Sequence, residues 1–255
     1  MQNFLYSGGQ MLAVVLSSLF GIFWAKKYGI GKLKAFLIVV FSQVIAYPAV
    51  FLLTWIENGF QRFGEQNAIR FYVFSALVGL IECKLFKIDF KKCIDFQAVI
   101  PPLCYGLGHF ACLAKMCCFG YHYTEGSLAY KVAHALTGTD QLPMQVLESV
   151  SALLVFLIVV IIAFKTHFKV TGKLLGIYQI LFCMSRFLWE FLRDNKKIII
   201  FAPMNNAAGV ESHGAVWGIS SLALWAFAVA LAGVILLIVL KIKEKNKGDK
   251  ELAEA

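Results

Sequence analysis

Long apolar runs constrain this chain more than any other feature. Seven stretches, near 10–25, 35–56, 70–87, 96–120, 145–164, 174–193 and 215–240, approach the roughly 20 mostly apolar residues that cross about 30 Å of hydrocarbon as a helix. With 60% of its 255 residues hydrophobic, the chain has too much apolar sequence for a soluble globule. The expected class is an all-α integral membrane protein with about seven transmembrane helices. The third and fourth runs are the least apolar, being interrupted by Glu82, Lys84, His109, Lys115 and the Pro101-Pro102 pair. The first run has no basic flank before it and no small-residue cleavage site after it, so no removable signal peptide is expected.

Lysine and arginine are distributed unevenly between the runs, which orients the chain. Lys26, Lys27, Lys32 and Lys34 follow the first run, Lys87, Lys91 and Lys92 the third, and Lys165, Lys169 and Lys173 the fifth. Lys241, Lys243, Lys245, Lys247 and Lys250 follow the last, while the alternate connections hold little beyond Arg62, Lys131, Lys196 and Lys197. This pattern puts the N-terminus outside and the C-terminus in the cytoplasm. It also accounts for the net charge of +9 by lysines beside anionic lipid, without a nucleic-acid partner. The polar tail, residues 241–255, reads as a frayed, solvated cytoplasmic end.

No internal repeat divides the sequence, so residues 1–255 form one expected domain. Long connections on the outer side fall near 121–144 and 194–214, and long loops in compact proteins are commonly functional. Most of the seven cysteines lie in or beside the apolar runs, where a thiol acts as a small apolar group. Cys112-x4-Cys117-Cys118 is unlike common zinc spacings and no histidine pair follows it, so neither a metal nor another cofactor is expected.

Charges at membrane depth must reach the interface, pair, or line a site. Glu82 and Lys84, near a cytoplasmic end, are expected to reach the interface. Arg186, Glu190 and Arg193 in "SRFLWEFLRD" are spaced four and three apart, which places them on one helix face with Gln179 extending the stripe inward. Glu190 can balance only one arginine, leaving a net positive seam for an anion. Arginine suits phosphate because its planar fork donates paired hydrogen bonds and stays charged. An internal Arg-Glu-Arg brace between helices is the alternative reading.

Leading into "GHFACLAKMCCFG", residues 108–120, Cys104, Gly108 and Cys112 recur every four residues, a small-residue stripe that admits close helix approach. His109 on the same segment is a candidate base or a packing residue. In "LPMQVLE", Pro143 can open a helix, and Gln145 and Glu148 share its outer face. The expected orientation brings these groups to one side with Arg193 and Gly120.

These three segments, in this order, resemble the bacterial prolipoprotein diacylglyceryl transferase family. "RFLWEFLR" matches the family's RFxxEFxR at Arg186, Phe187, Glu190, Phe191 and Arg193; "LPMQVLE" is similar to its HP(S/T)QLYE at Pro143, Gln145 and Glu148; Gly108 and Gly120 keep its glycine signature spacing. The chain departs from the signature at His109, where the family has arginine, at Cys112 for asparagine and at Cys117 for glutamate. A third-span histidine falls at Phe74, and the aromatic before Arg186 is Phe182 rather than tyrosine.

The resemblance implies a multi-pass protein of the bacterial cytoplasmic (inner) membrane that moves a diacylglyceryl group from a phosphatidylglycerol-like phospholipid to the lipobox cysteine thiol of a secreted lipoprotein precursor. It implies catalytic roles for Arg186, Glu190 and His109, and lipid or phosphate contacts for Arg193, Gln145, Glu148, Gly108 and Gly120. The alternative is a non-catalytic or altered-specificity paralogue that binds lipid or lipoprotein. A small-solute transporter is disfavoured by the lack of repeats and of matched helix breaks.

Overall fold

The computed structural model describes residues 2–57, 60, 68–193, 198–200 and 219–253. The expected outer connection near 194–214 therefore lies almost wholly outside the described residues. Those residues form nine helices and one two-stranded ribbon: α1 (Gln2–Lys27), α2 (Lys32–Glu57), α3 (Ala68–Leu85), α4 (Phe90–Gln97), α5 (Ile100–Lys115), α6 (Leu128–Thr137), α7 (Met144–Lys165), α8 (Leu174–Glu190), β1 (Ile198–Ile200), β2 (Ile219–Ser220) and α9 (Ser221–Ala253).

Among the described residues, five stretches are long and apolar enough to cross a membrane: Gln2–Lys27, Lys32–Leu53, Phe90–Lys115, Met144–Lys165 and Leu222–Asn246. The protein is a multi-pass membrane protein. The other two expected spans are α3, which carries Arg70, Glu82 and Lys84, and α8, whose 17 residues reach about 26 Å at 1.5 Å per residue. The long helices turn apolar residues outward, among them Phe23, Phe41, Leu154, Ile161 and Ile235. Helices suit such surroundings because each satisfies its own backbone hydrogen bonds in lipid.

Inside the bundle, α5 lies between α1 and α7, α7 leads to α8, and α8 packs along α9. Small residues permit these approaches. A Cβ on Gly9 would stand 2.7 Å from the Ala111 methyl, and one on Gly106 would stand 2.7 Å from the Leu153 side chain. Gly176 and Gly233 perform the same task between α8 and α9. The Cβ of Gln179 lies against Gly233, so this residue borders α9. An aromatic core runs through the bundle, with Phe182 against Tyr178, Tyr105 and Tyr72.

Several expectations are corrected here. Span four is interrupted between α4 and α5, and it ends at Lys115 because Met116 takes a left-handed conformation, φ 52°, that caps α5. Pro101 and Pro102 do not break a helix. They begin one, since N–H groups in the first turn have no intrahelical acceptor. The 121–144 connection contains α6, started by the Ser127 side chain accepting from the Tyr130 N–H and stopped by Gly138 at φ 71°. The tail beyond residue 241 continues as the helix of α9 to Ala253. Glu82 is buried rather than extended to an interface, and Cys83 pairs with Cys93 in a disulfide joining α3 to α4.

Asp95, fully buried on α4, organises the turn from α7 into α8. Its carboxylate accepts from the backbone N–H groups of Thr171 and Gly172, each at 2.8 Å, and of Leu174 at 3.0 Å. Gly172 sits at φ 74°, a conformation L-residues disfavour, and presents its N–H to Asp95. Asp95→Ala leaves three donors unsatisfied and is expected to lower stability by roughly 2–4 kcal/mol. Thermal unfolding in detergent checks this, and an unchanged midpoint would contradict it.

Candidate active site

The start of α7 and the end of α8 bring the site together. Pro143 stands at the cap of α7, so Gln145 and Glu148 occupy its first turns three residues apart, both buried. The side-chain amide of Gln145 donates to the Cys117 carbonyl just beyond α5, which ties that chain exit to the start of α7. Gly120 pairs with Arg193 in an antiparallel bridge. Its N–H donates to the Leu142 carbonyl at 2.8 Å, and the Tyr121 N–H donates to the Leu192 carbonyl at 3.1 Å. A Cβ at Gly120 would stand 2.5 Å from the Leu192 oxygen, so only glycine allows this crossing.

Arg193 thus lies past the end of α8, in an extended turn, and not on the helix face expected for it. It still meets the same partners as Arg186. Glu148, 1% exposed, is their centre: its Oε1 accepts from Arg193 Nε at 2.9 Å and Nη2 at 2.8 Å, with Arg186 Nη1 at 3.4 Å. Its Oε2 accepts the Tyr105 hydroxyl and faces His109 Nε2 at 3.0 Å. Glu190 Oε2 takes Arg186 Nη1 at 3.1 Å with Arg193 Nε at 3.8 Å, and its Oε1 accepts from Ser220 Oγ at 2.8 Å.

The expected net positive seam is therefore balanced, two guanidinium groups against two carboxylates, because Glu148 reaches both arginines. Such a group is self-consistent only while complete, since removing one partner strands a buried charge. The network reaches open space through Tyr105 and His109, whose rings stack at 4.8 Å. Both line a cavity of about 480 Å³ between α1, α2, α3 and α5, whose walls are mainly apolar side chains such as Val14, Val50 and Phe71. Gly108 also lines it, its carbonyl accepting from the Gln10 side-chain amide at 3.0 Å. At the same end of the cavity lie Cys112 and Cys118, beside His109.

The fold thus brings Arg186, Glu190, Arg193, Glu148 and His109 into one connected group. Gln145, Gly108 and Gly120 frame it through backbone contacts. Sequence reasoning missed Tyr105 and Ser220. Tyr105 precedes His109 by four residues, a helical neighbour spacing that was legible; Ser220 arrives through a distant segment and left no local sign.

No curated protein matches the chain. The family model described as prolipoprotein diacylglyceryl transferase matches residues 22–239, a span that contains Tyr105, His109, Glu148, Arg186, Glu190, Arg193 and Ser220. The chain belongs to the prolipoprotein diacylglyceryl transferase family.

Proposed function

We propose that the protein transfers a diacylglyceryl group from a phosphatidylglycerol-like phospholipid to the lipobox cysteine of a secreted lipoprotein precursor. The setting is the bacterial cytoplasmic membrane, with seven spans and the N-terminus outside. The observation that carries this reading is the buried group of Arg186, Arg193, Glu148 and Glu190 beside an apolar cavity, within the segment matched by the family. The lysine distribution supports the orientation.

The acyl chains occupy the apolar cavity, and the headgroup phosphate lies toward the arginines. The acceptor thiolate attacks the glyceryl carbon that bears the phosphate ester. A carbon–sulfur bond forms, the carbon–oxygen bond breaks, and glycerol phosphate leaves with the bonding electron pair. Negative charge grows on the departing phosphate, where fixed guanidinium donors in a dry site act most strongly. Each guanidinium has five N–H donors, so Arg186 and Arg193 can hold phosphate while keeping contact with their carboxylates. Glu190 and Glu148 fix the two forks, and His109 serves deprotonation of the thiol, because the thiolate is the nucleophile.

The test is release of glycerol phosphate from headgroup-labelled phosphatidylglycerol. Release is expected only when both the protein and a lipobox peptide are present. Release without peptide would point to a hydrolase, and no release from folded protein would refute the reading.

The second reading, a non-catalytic or altered-specificity relative, is favoured by His109 at the signature arginine position and by the charge balance around Glu148. On that reading His109→Arg creates no activity. On the transferase reading the wild type is already active and His109→Arg changes its rate.

A further inference from the structure

We propose that His109, Cys112 and Cys118 bind a thiophilic divalent cation of the Zn2+ class, and that the cation's remaining position binds and activates the acceptor thiol. The role in transfer rests on the function proposed above; the metal site stands on geometry alone.

One donor atom from each of the three residues lies within 4.8 Å of the others. The His109 Nδ1 to Cys112 Sγ separation is 3.8 Å. Bond lengths of about 2.0–2.1 Å to nitrogen and 2.3 Å to sulfur at a tetrahedral centre require donors roughly 3.6 Å apart, so the His109–Cys112 pair is nearly at that separation and a contraction of at most about 1.2 Å closes the rest. The linear spacing had argued against a metal. The fold supplies the grouping that the spacing hides, through one turn of α5 and the reversal at Met116, which returns Cys118 beside Cys112.

His109 has the second contact that a metal-bound imidazole characteristically makes. Its Nε2 faces the Glu148 carboxylate at 3.0 Å, which leaves Nδ1 for a metal and fixes the ring with Tyr105 stacked on it. Glu148 is in turn held by Arg193 and Arg186, so the ligand's orientation is coupled to the arginine pair. Two thiolates and a neutral imidazole cancel a divalent charge, which suits an apolar wall. His109, Cys112 and Cys118 all line the cavity, so the fourth position of a tetrahedral ion opens toward it.

An acceptor cysteine entering that position loses its proton to solvent as it binds, because coordination deprotonates a thiol outright. The bound thiolate then forms the carbon–sulfur bond described above, and the cation is regenerated when the thioether leaves. On this account His109 serves deprotonation of the acceptor thiol as a ligand of the cation, and the proton itself passes to solvent.

The test uses the full-length protein in detergent with its thiols reduced, and Co2+ as the probe. About one Co2+ per chain is expected, with a thiolate-to-cobalt charge-transfer band and a tetrahedral visible spectrum, displaced by Zn2+. The band should vanish in Cys118→Ser and His109→Ala. Should either variant fail to fold, wild-type protein still decides: Zn2+ should protect Cys118 from alkylation, read by mass spectrometry. Absence of the band from folded, reduced protein, a band that survives Cys118→Ser, or alkylation indifferent to Zn2+ would overturn the site.

Chelation is then expected to slow transfer on the order of 100-fold, the scale of a positioned proton acceptor. Full transfer by protein shown to be metal-free would overturn the activating role. Metal binding without any transfer would instead overturn the transferase reading and leave the site standing.

Discussion

Replacing Glu148 with alanine is expected to abolish transfer and to destabilise the protein by roughly 3–5 kcal/mol, the range for breaking a buried charge network by deleting one member. No other side chain meets so many of the site's groups. Without it, among the described residues, Arg193 keeps a 3.8 Å approach to Glu190, the Tyr105 hydroxyl loses its acceptor, and His109 Nε2 loses its carboxylate. Glu148→Gln keeps the shape and one acceptor oxygen, so its effect on stability should fall between wild type and alanine. The pair Glu148→Gln/Arg193→Gln removes one charge of each sign and should recover part of the loss, since residues in one network do not act additively. Thermal unfolding of wild type, Glu148→Gln, Arg193→Gln and the double variant in detergent measures the coupling. Additive losses would show that Glu148 and Arg193 do not depend on each other.

Arg186→Ala is expected to lower activity strongly while costing less stability than Glu148→Ala. Its two carboxylates retain other partners: Glu148 keeps Arg193, and Glu190 keeps Ser220, whose hydroxyl also accepts from the Ala223 N–H at 3.1 Å to start α9. The variant should therefore insert and purify normally. Loss of a preorganised donor to developing negative charge typically lowers turnover by about 10²–10³-fold, and removing a whole guanidinium should reach at least that. Arg186→Lys keeps the charge but not the planar fork, so it should restore only a small part of the activity. Turnover near wild type in Arg186→Ala would remove this residue from the mechanism.

The parts of the fold legible in the sequence are those written in local pattern. Apolar run length locates the long helices, and the spacing of Arg186 and Glu190 along α8 is a helical ion pair at 3.1 Å. The spacing rule failed for Arg193 because α8 stops at Glu190, and the bridge to Gly120 carries Arg193 back to the same carboxylates. Glu148 was legible as a polar residue at a helix start. Its place as common partner of both arginines was not, because that depends on how α5, α7 and α8 pack.

The same limit explains the cysteines. Cys112 and Cys118 read as small apolar residues in a linear scan; Cys112 meets His109 through one turn of α5, and Cys118 joins them only after Met116 reverses the chain. Asp95 gave no signal either. Its acceptors' partners lie 76 to 79 residues further along the chain. Charge balance, in general, was the least legible property: counting one carboxylate for the two arginines of residues 185–194 misses a carboxylate delivered by α7.

The central claim is that the arginine and glutamate network supports transfer of a lipid to a thiol. Purified protein incubated with phosphatidylglycerol and a lipobox peptide, followed by mass spectrometry of the peptide, tests it most directly. The account predicts a diacylglyceryl adduct on the peptide cysteine that disappears in Arg186→Ala. No adduct from protein shown to be folded and lipid-bound, or an adduct formed equally well by Arg186→Ala, would contradict it.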